Sequence, residues 1–158
     1  MVELDIKIEA ADLYDYNLRH AYHSAAGLMG SILGALMAVV GIGSRQWIYL
    51  IGGAALLLYL PWTLFIKCKQ QALANPAFQE PLHYVLDDEG ISVSQGEAKD
   101  TQRWEDMVKA VSTSRSIIVY TSKANATIFP RKQMGEKTVG VIECISTHMP
   151  PAKVKIRW

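Results

Sequence analysis

Across residues 24–66 the chain has almost no charge. Arg45 is the only ionisable side chain apart from tyrosines, and no Asp, Glu, Lys or His occurs there. Proton relays and ion pathways need such groups inside the membrane, so this scarcity argues against a pump or channel. Cysteine is also scarce. Cys68 and Cys144 are too few for a disulfide framework, and free thiols in a reducing compartment are the simpler reading. Cys68, just past the apolar stretch, is a position where acylation could occur. From residue 76 onward, 11 Lys and Arg stand against 10 Asp and Glu, so no basic excess points to nucleic acid. There is no phosphate-binding loop. Gly135-Glu-Lys-Thr138 ends like one but lacks the upstream glycine.

What is present is two long uncharged apolar runs, 24–43 and 47–66, separated by Ser44, Arg45 and Gln46. A hydrocarbon core of about 30 Å needs about 20 apolar residues in a helix, and backbone polar groups in lipid must be paired within the segment. The pattern predicts a transmembrane helical hairpin. Arg19, Lys67 and Lys69 flank it on one side and Arg45 alone on the other, so both termini are expected in the cytoplasm. Ala26, Gly30, Gly34 and Ala38 recur every four residues and predict a helix-packing ridge, within the hairpin or in a homodimer. Pro61 predicts a kink in the second helix.

The chain divides into 1–23 (a strand and a juxtamembrane helix), the hairpin 24–66, a linker 67–81, and a cytoplasmic domain 82–158. Val2, Leu4, Ile6 and Ile8 alternate with charged residues and predict a half-buried strand that adds to the C-terminal sheet. A helix from Asp12, with Tyr14, Leu18, Ala21, Tyr22 and Ala25 on one face, is expected to run straight into the first span. Beyond Pro81, short strands alternate with turns. Residues 136–148 read as an amphipathic helix with Val139, Ile142 and Ile145 inward. Val154, Ile156 and Trp158 predict a last strand. The fold class expected is α+β: an antiparallel sheet or open barrel closed by a late helix.

Tyr84-Val-Leu-Asp-Asp-Glu-Gly-Ile-Ser-Val93 is followed by Trp104-Glu-Asp-Met-Val-Lys-Ala-Val111, then Ile118-Val-Tyr120 and Ala126-Thr-Ile-Phe-Pro-Arg131. In this order, after two spans, the motifs resemble those of the bacterial YcxB-like membrane proteins. The resemblance implies an inner-membrane protein whose C-terminal domain is pleckstrin-homology-like. It implies no catalytic residue.

Chemistry-bearing residues are dispersed. His20 and His23 have a spacing compatible with metal, but a closed site needs more ligands, and no cofactor or metal is expected. Asp87, Asp88 and Glu89 read as turn formers. The chain is therefore expected to be no enzyme but a membrane-tethered interaction module with a protein partner. Self-protection against a bacteriocin or toxin, and sensing of anionic lipid, are the alternatives. Trp104, Glu105 and Asp106 are candidates for partner binding, although a Trp that ends a polar strand more often anchors a core edge. Arg131, Lys132, Lys153, Lys155 and Arg157 are candidates for lipid binding, each able to gain about 1 kcal/mol at an anionic surface.

Overall fold

A computed structural model describes residues 1–122 and 125–157. The expected strand position of Trp158 and the turn residues Lys123 and Ala124 lie outside the described residues. The fold is α+β, with two four-stranded sheets and two helices long and apolar enough to cross a membrane.

β1 (Val2–Ile6) leads into α1 (Ala10–Tyr22), α2 (Ala25–Gly43) and α3 (Trp47–Ala74). β2 (Leu82–Leu86), β3 (Gly90–Gln95) and β4 (Ala98–Arg103) then form a meander, and β1 adds antiparallel to β2 with Leu4 opposite Tyr84. The second sheet contains β5 (Lys109–Ser112), β6 (Ser116–Tyr120), β7 (Ala126–Pro130) and β8 (Val154–Lys155), in the order β7-β6-β5-β8. Between β7 and β8 lie a single turn, α4 (Arg131–Met134), and α5 (Thr138–His148). A single core joins Leu4, Ile6 and Leu86 of the first sheet to Ile117, Val119 and Phe129 of the second and Ile145 of α5.

Several expectations change. The last strand is two residues long and runs parallel to β5, so the second sheet is mixed. In α5 the inward residues are Val141, Ile142 and Ile145, while Val139 is exposed. These three, with Met149, follow the i, i+1, i+4, i+8 spacing of one helical face, which Val139 leaves. Residues 10–43 are two helices rather than one. Ser24 caps α2: its hydroxyl accepts from Gly27 N at 3.2 Å and donates to Ala21 O at 2.6 Å. That hydroxyl satisfies groups left open at the break. Tyr22 is exposed, and Leu13 is the residue of α1 buried in the core, with Tyr14 and Tyr16 packed against it. The stretch expected as a linker is in its first part the end of α3. There Cys68 is buried, and Ala72 and Phe78 pack against the core, which removes Cys68 from reach of acylation.

The two long helices pack along a seam that differs from the four-residue ridge. A Cβ on Gly53 would lie 2.7 Å from Gly34 O and 2.8 Å from Ala38 N, and one on Gly41 would lie 2.6 Å from Leu50 N. Gly34, Ala38 and Gly41 therefore carry the close approach. Gly30 faces open space, with nothing within 4 Å of its Cβ position, and Ala26 is exposed. A steep seven-residue spacing from Gly34 to Gly41 keeps one edge facing α3, whereas a strict four-residue row drifts around the helix.

Candidate functional site

β5 ends at Ser112 and turns through 113–115 into β6. Thr113 shapes this turn: its hydroxyl oxygen accepts from Ser116 N at 2.9 Å and Arg115 N at 3.1 Å, and its O–H donates to Asp15 of α1 at 2.6 Å. Four cations converge around the turn. Arg19, on the last part of α1, donates from Nη1 to Ser112 O at 3.3 Å. The backbone N–H of Arg157, just past β8, donates to Ser112 Oγ at 2.8 Å. Arg131 follows β7, its N–H donating to Arg115 O, and its guanidinium donates to Arg157 O. Lys155 is brought in by the parallel pairing of β8 with Val111.

Arg19, Arg131, Lys155 and Arg157, with Ser112, Thr113 and Ser114, line a cleft of about 650 Å³. Among the described residues no carboxylate lines it. The ion pairs found among the described residues are His83–Asp5 and His148–Asp88, both elsewhere. Unpaired positive charge of one sign in a concave surface raises the local concentration of anions.

Of the five cations singled out from sequence, the cleft gathers Arg131, Lys155 and Arg157. Lys153 is turned away and donates from Nζ to Met107 O at 3.0 Å. Lys132 lines a neighbouring cavity with Arg115, Glu9 and Asp12. In that cavity Asp12 has its pKa raised, chiefly by burial, against the lowering effect of its hydrogen bond from Glu9 N. Arg19 was missed as a site residue. Its sequence signal was only that of a flanking positive charge, and nothing local tied it to residues more than a hundred positions later.

The partner-binding trio also separates. Trp104 is 6% exposed, and its indole N–H donates to Asp87 O at 2.8 Å. Its ring stacks on His148 at 5.2 Å. A buried Trp with its N–H satisfied is a core anchor, which corrects its assignment as an exposed binding residue. Glu105 and Asp106 remain exposed beside it. Asp87 is a turn former: its carboxylate accepts from Glu89 N and Gly90 N at 2.9 and 3.1 Å.

Around Trp104 lies an arrangement that sequence reading did not foresee. His148 Nε2 is 3.3 Å from Asp88, and Nδ1 is 3.8 Å from Cys144 Sγ. The order cysteine, histidine, carboxylate is that of a nucleophilic triad. The details differ, because Nδ1 is held at 2.9 Å by the Cys144 carbonyl oxygen. A carbonyl only accepts, so Nδ1 carries the proton and has no lone pair to take one from the thiol. Burial also pushes the Cys144 thiol upward. A reactive thiolate requires the opposite shift. His20 stacks on Tyr16, and His23 contacts Arg19 O, so the two histidines are engaged within α1 and its end. Among the described residues no group of three or more metal-ligating side chains occurs.

No curated protein and no solved structure matches the chain. Residues 86–139, from the end of β2 through the turn containing Thr113 and Ser114 to the first turn of α5, match the family model described as YcxB-like protein.

Proposed function

We propose that the chain is a non-enzymatic, membrane-tethered interaction module. In this reading α2 and α3 cross the bacterial inner membrane, and the double-sheet domain, pleckstrin-homology-like in kind, meets a protein partner at the cytoplasmic face. The observation that carries the reading is that both ends of the apolar hairpin are rooted in one core. β1 and α1 enter that core before α2, and the end of α3 enters it at Cys68 and Ala72. The two ends must then lie on the same side of any membrane, and the flanking Arg19, Lys67 and Lys69 favour the cytoplasmic side.

Burial supports membrane insertion. Only 17% of the most apolar window of α2, and 6% of that of α3, is buried. A core helix of a water-soluble protein would be largely covered, and exposed apolar patches there rarely exceed a few hundred Å². For the partner, the outer edge of β4 is an available docking element. β4 ends its sheet, and its residues are mostly exposed. An extended segment could add there by main-chain hydrogen bonds. Tethering raises the effective concentration of any such segment at the membrane.

Two measurements test this reading. With Cys68→Ala and Cys144→Ser in the background, a Gln46→Cys variant should react with an impermeant maleimide in intact cells, and a Lys99→Cys variant should react only after lysis. The reverse pattern overturns the topology. In-cell crosslinking from Lys99 should then capture one recurrent protein partner. Unaided turnover of a lipid or peptide by the purified chain would sink the non-enzymatic reading.

A further inference from the structure

The cleft beside the Thr113 turn has a chemical character that the tethering role does not require. Two of its arginines are oriented by the backbone. Arg19 uses one N–H on Ser112 O, and Arg131 uses one on Arg157 O. A guanidinium has five N–H donors in a planar fork, so four on each remain for a ligand. Ser112 Oγ already accepts from Arg157 N, which leaves its own proton free to donate. Ser114 stands exposed at the rim. Asp15 of α1 accepts from the lining Thr113 and keeps its negative charge behind that residue.

Among the described residues, donors and positive charge thus converge with no carboxylate on the lining itself and Asp15 just behind Thr113. Bringing four like charges together is unfavourable in the empty protein and favourable once an anion with several acceptor oxygens enters. Arginine forks match the oxygens of phosphate in paired hydrogen bonds. Position adds to this. Arg19 lies in the last turn of α1, six residues before Ala25, the start of α2. A headgroup layer is about 5–8 Å deep on each side of the hydrocarbon.

We propose that this cleft binds a phosphate-bearing anion, with Arg19, Arg131, Lys155 and Arg157 supplying the charge and Ser112 and Ser114 supplying hydroxyl donors. The phosphate belongs either to an acidic phospholipid headgroup or to a free phosphate species. The headgroup form rests on the membrane-tethered reading above; the free form does not.

The test uses the full-length chain in zwitterionic detergent. Lys155→Gln with Arg157→Gln removes two charges but keeps both backbone hydrogen bonds of Arg157. Lys99→Gln with Arg103→Gln, on exposed β4, is the charge-matched control. In one arm, native mass spectrometry measures retention of phosphatidylglycerol against phosphatidylcholine. In the other, the thermal midpoint is compared in inorganic phosphate and in chloride at equal ionic strength. A preference of about fivefold or more for phosphatidylglycerol, lost in the cleft variant and kept in the control, assigns the headgroup. A midpoint raised by phosphate in wild type and control but not in the cleft variant assigns free phosphate. If cleft and control variants behave alike in both arms, the proposal is overturned. Should the cleft variant fail to fold, Ser114→Asp, which sets a carboxylate at the exposed rim, must abolish the same signals. A phosphate shift that persists when maleimide labelling reverses would count against the membrane reading alone. Loss of both signals with normal labelling would count against the cleft alone.

Discussion

The hairpin and the sheet domain bury opposite kinds of residue. In the domain the largest side chains are inside: Phe129, Ile117 and Leu86 are 0% exposed. In the hairpin the smallest are inside, Gly34, Gly41 and Gly53, while Trp47 and Ile48 are 75% exposed. The domain follows the rule for folding in water, where removing apolar area from solvent is the main driving force. The hairpin has the pattern expected of association in lipid, where tails are as apolar as leucine and close backbone contact decides packing. One chain thus carries two folding rules, joined where α3 leaves its apolar stretch and buries Cys68.

Truncating side chains gives the widest contrast between the two regions. Phe129→Ala should cost about 3–5 kcal/mol in the denaturant-induced unfolding of the domain. Leu33→Ala, on an exposed stretch of α2, should cost less than about 0.5 kcal/mol. A large cost at Leu33 would mean that this face is covered by protein, and the two-rule description would fail.

Alkali should act on the domain side of the comparison. Burial of Tyr84 raises its pKa from 10.0 to about 12. The folded state then holds a proton that the unfolded state has released, so stability falls as pH rises from 10 and is depleted by about 12. The loss is on the order of 3 kcal/mol. Tyr84→Phe should flatten that slope in an alkaline unfolding series, and an unchanged slope would assign the loss to other groups.

Within the hairpin, Gly41→Ala should weaken the α2–α3 seam by about 1–3 kcal/mol, since its Cβ would meet Leu50 N at 2.6 Å. Gly30→Ala should be neutral or stabilising by up to about 1 kcal/mol, because its site is open and alanine favours helix. Folded fraction against SDS concentration reads both. Equal effects would restore the four-residue ridge. A modest change is expected at the junction. Ser24→Ala removes the cap of α2 and should lower stability by about 1 kcal/mol, visible in the same titration.

How much of this was legible without coordinates differs by region. The hairpin could be read from runs of uncharged residues, because span length and the need to pair backbone groups are properties of a segment alone. The strands β2, β3, β5, β6 and β7 were legible from alternation and turn residues such as Asp87 and Gly90. The inward face of α5 was misjudged by including Val139, because a short apolar helix offers more than one plausible stripe. Trp104, at the end of a polar strand, reads from sequence as the anchor of a core edge before it reads as a binding residue, but nothing local says what covers it. Its ring is covered by His148, the last residue of α5 and more than 40 residues away.

The candidate site shows the boundary most sharply. Basic residues near the C-terminal end could be noted from sequence, but Lys132, Lys153 and Lys155 look equivalent there. Only the parallel docking of β8 on β5 sends Lys155 and Arg157 to the cleft, while Lys153 turns to Met107. Arg19 joins them because β1 pairs with β2 and draws α1 across the second sheet, where Tyr16 meets Tyr120. By itself the sequence determined the local objects: two apolar helices, a set of short strands and a late helix, each set by the periodicity of neighbouring residues. The tertiary structure decided which glycines touch, which tryptophan is hidden and which cations share a cleft, because those outcomes depend on contacts closed across long loops and on a register that no local pattern encodes.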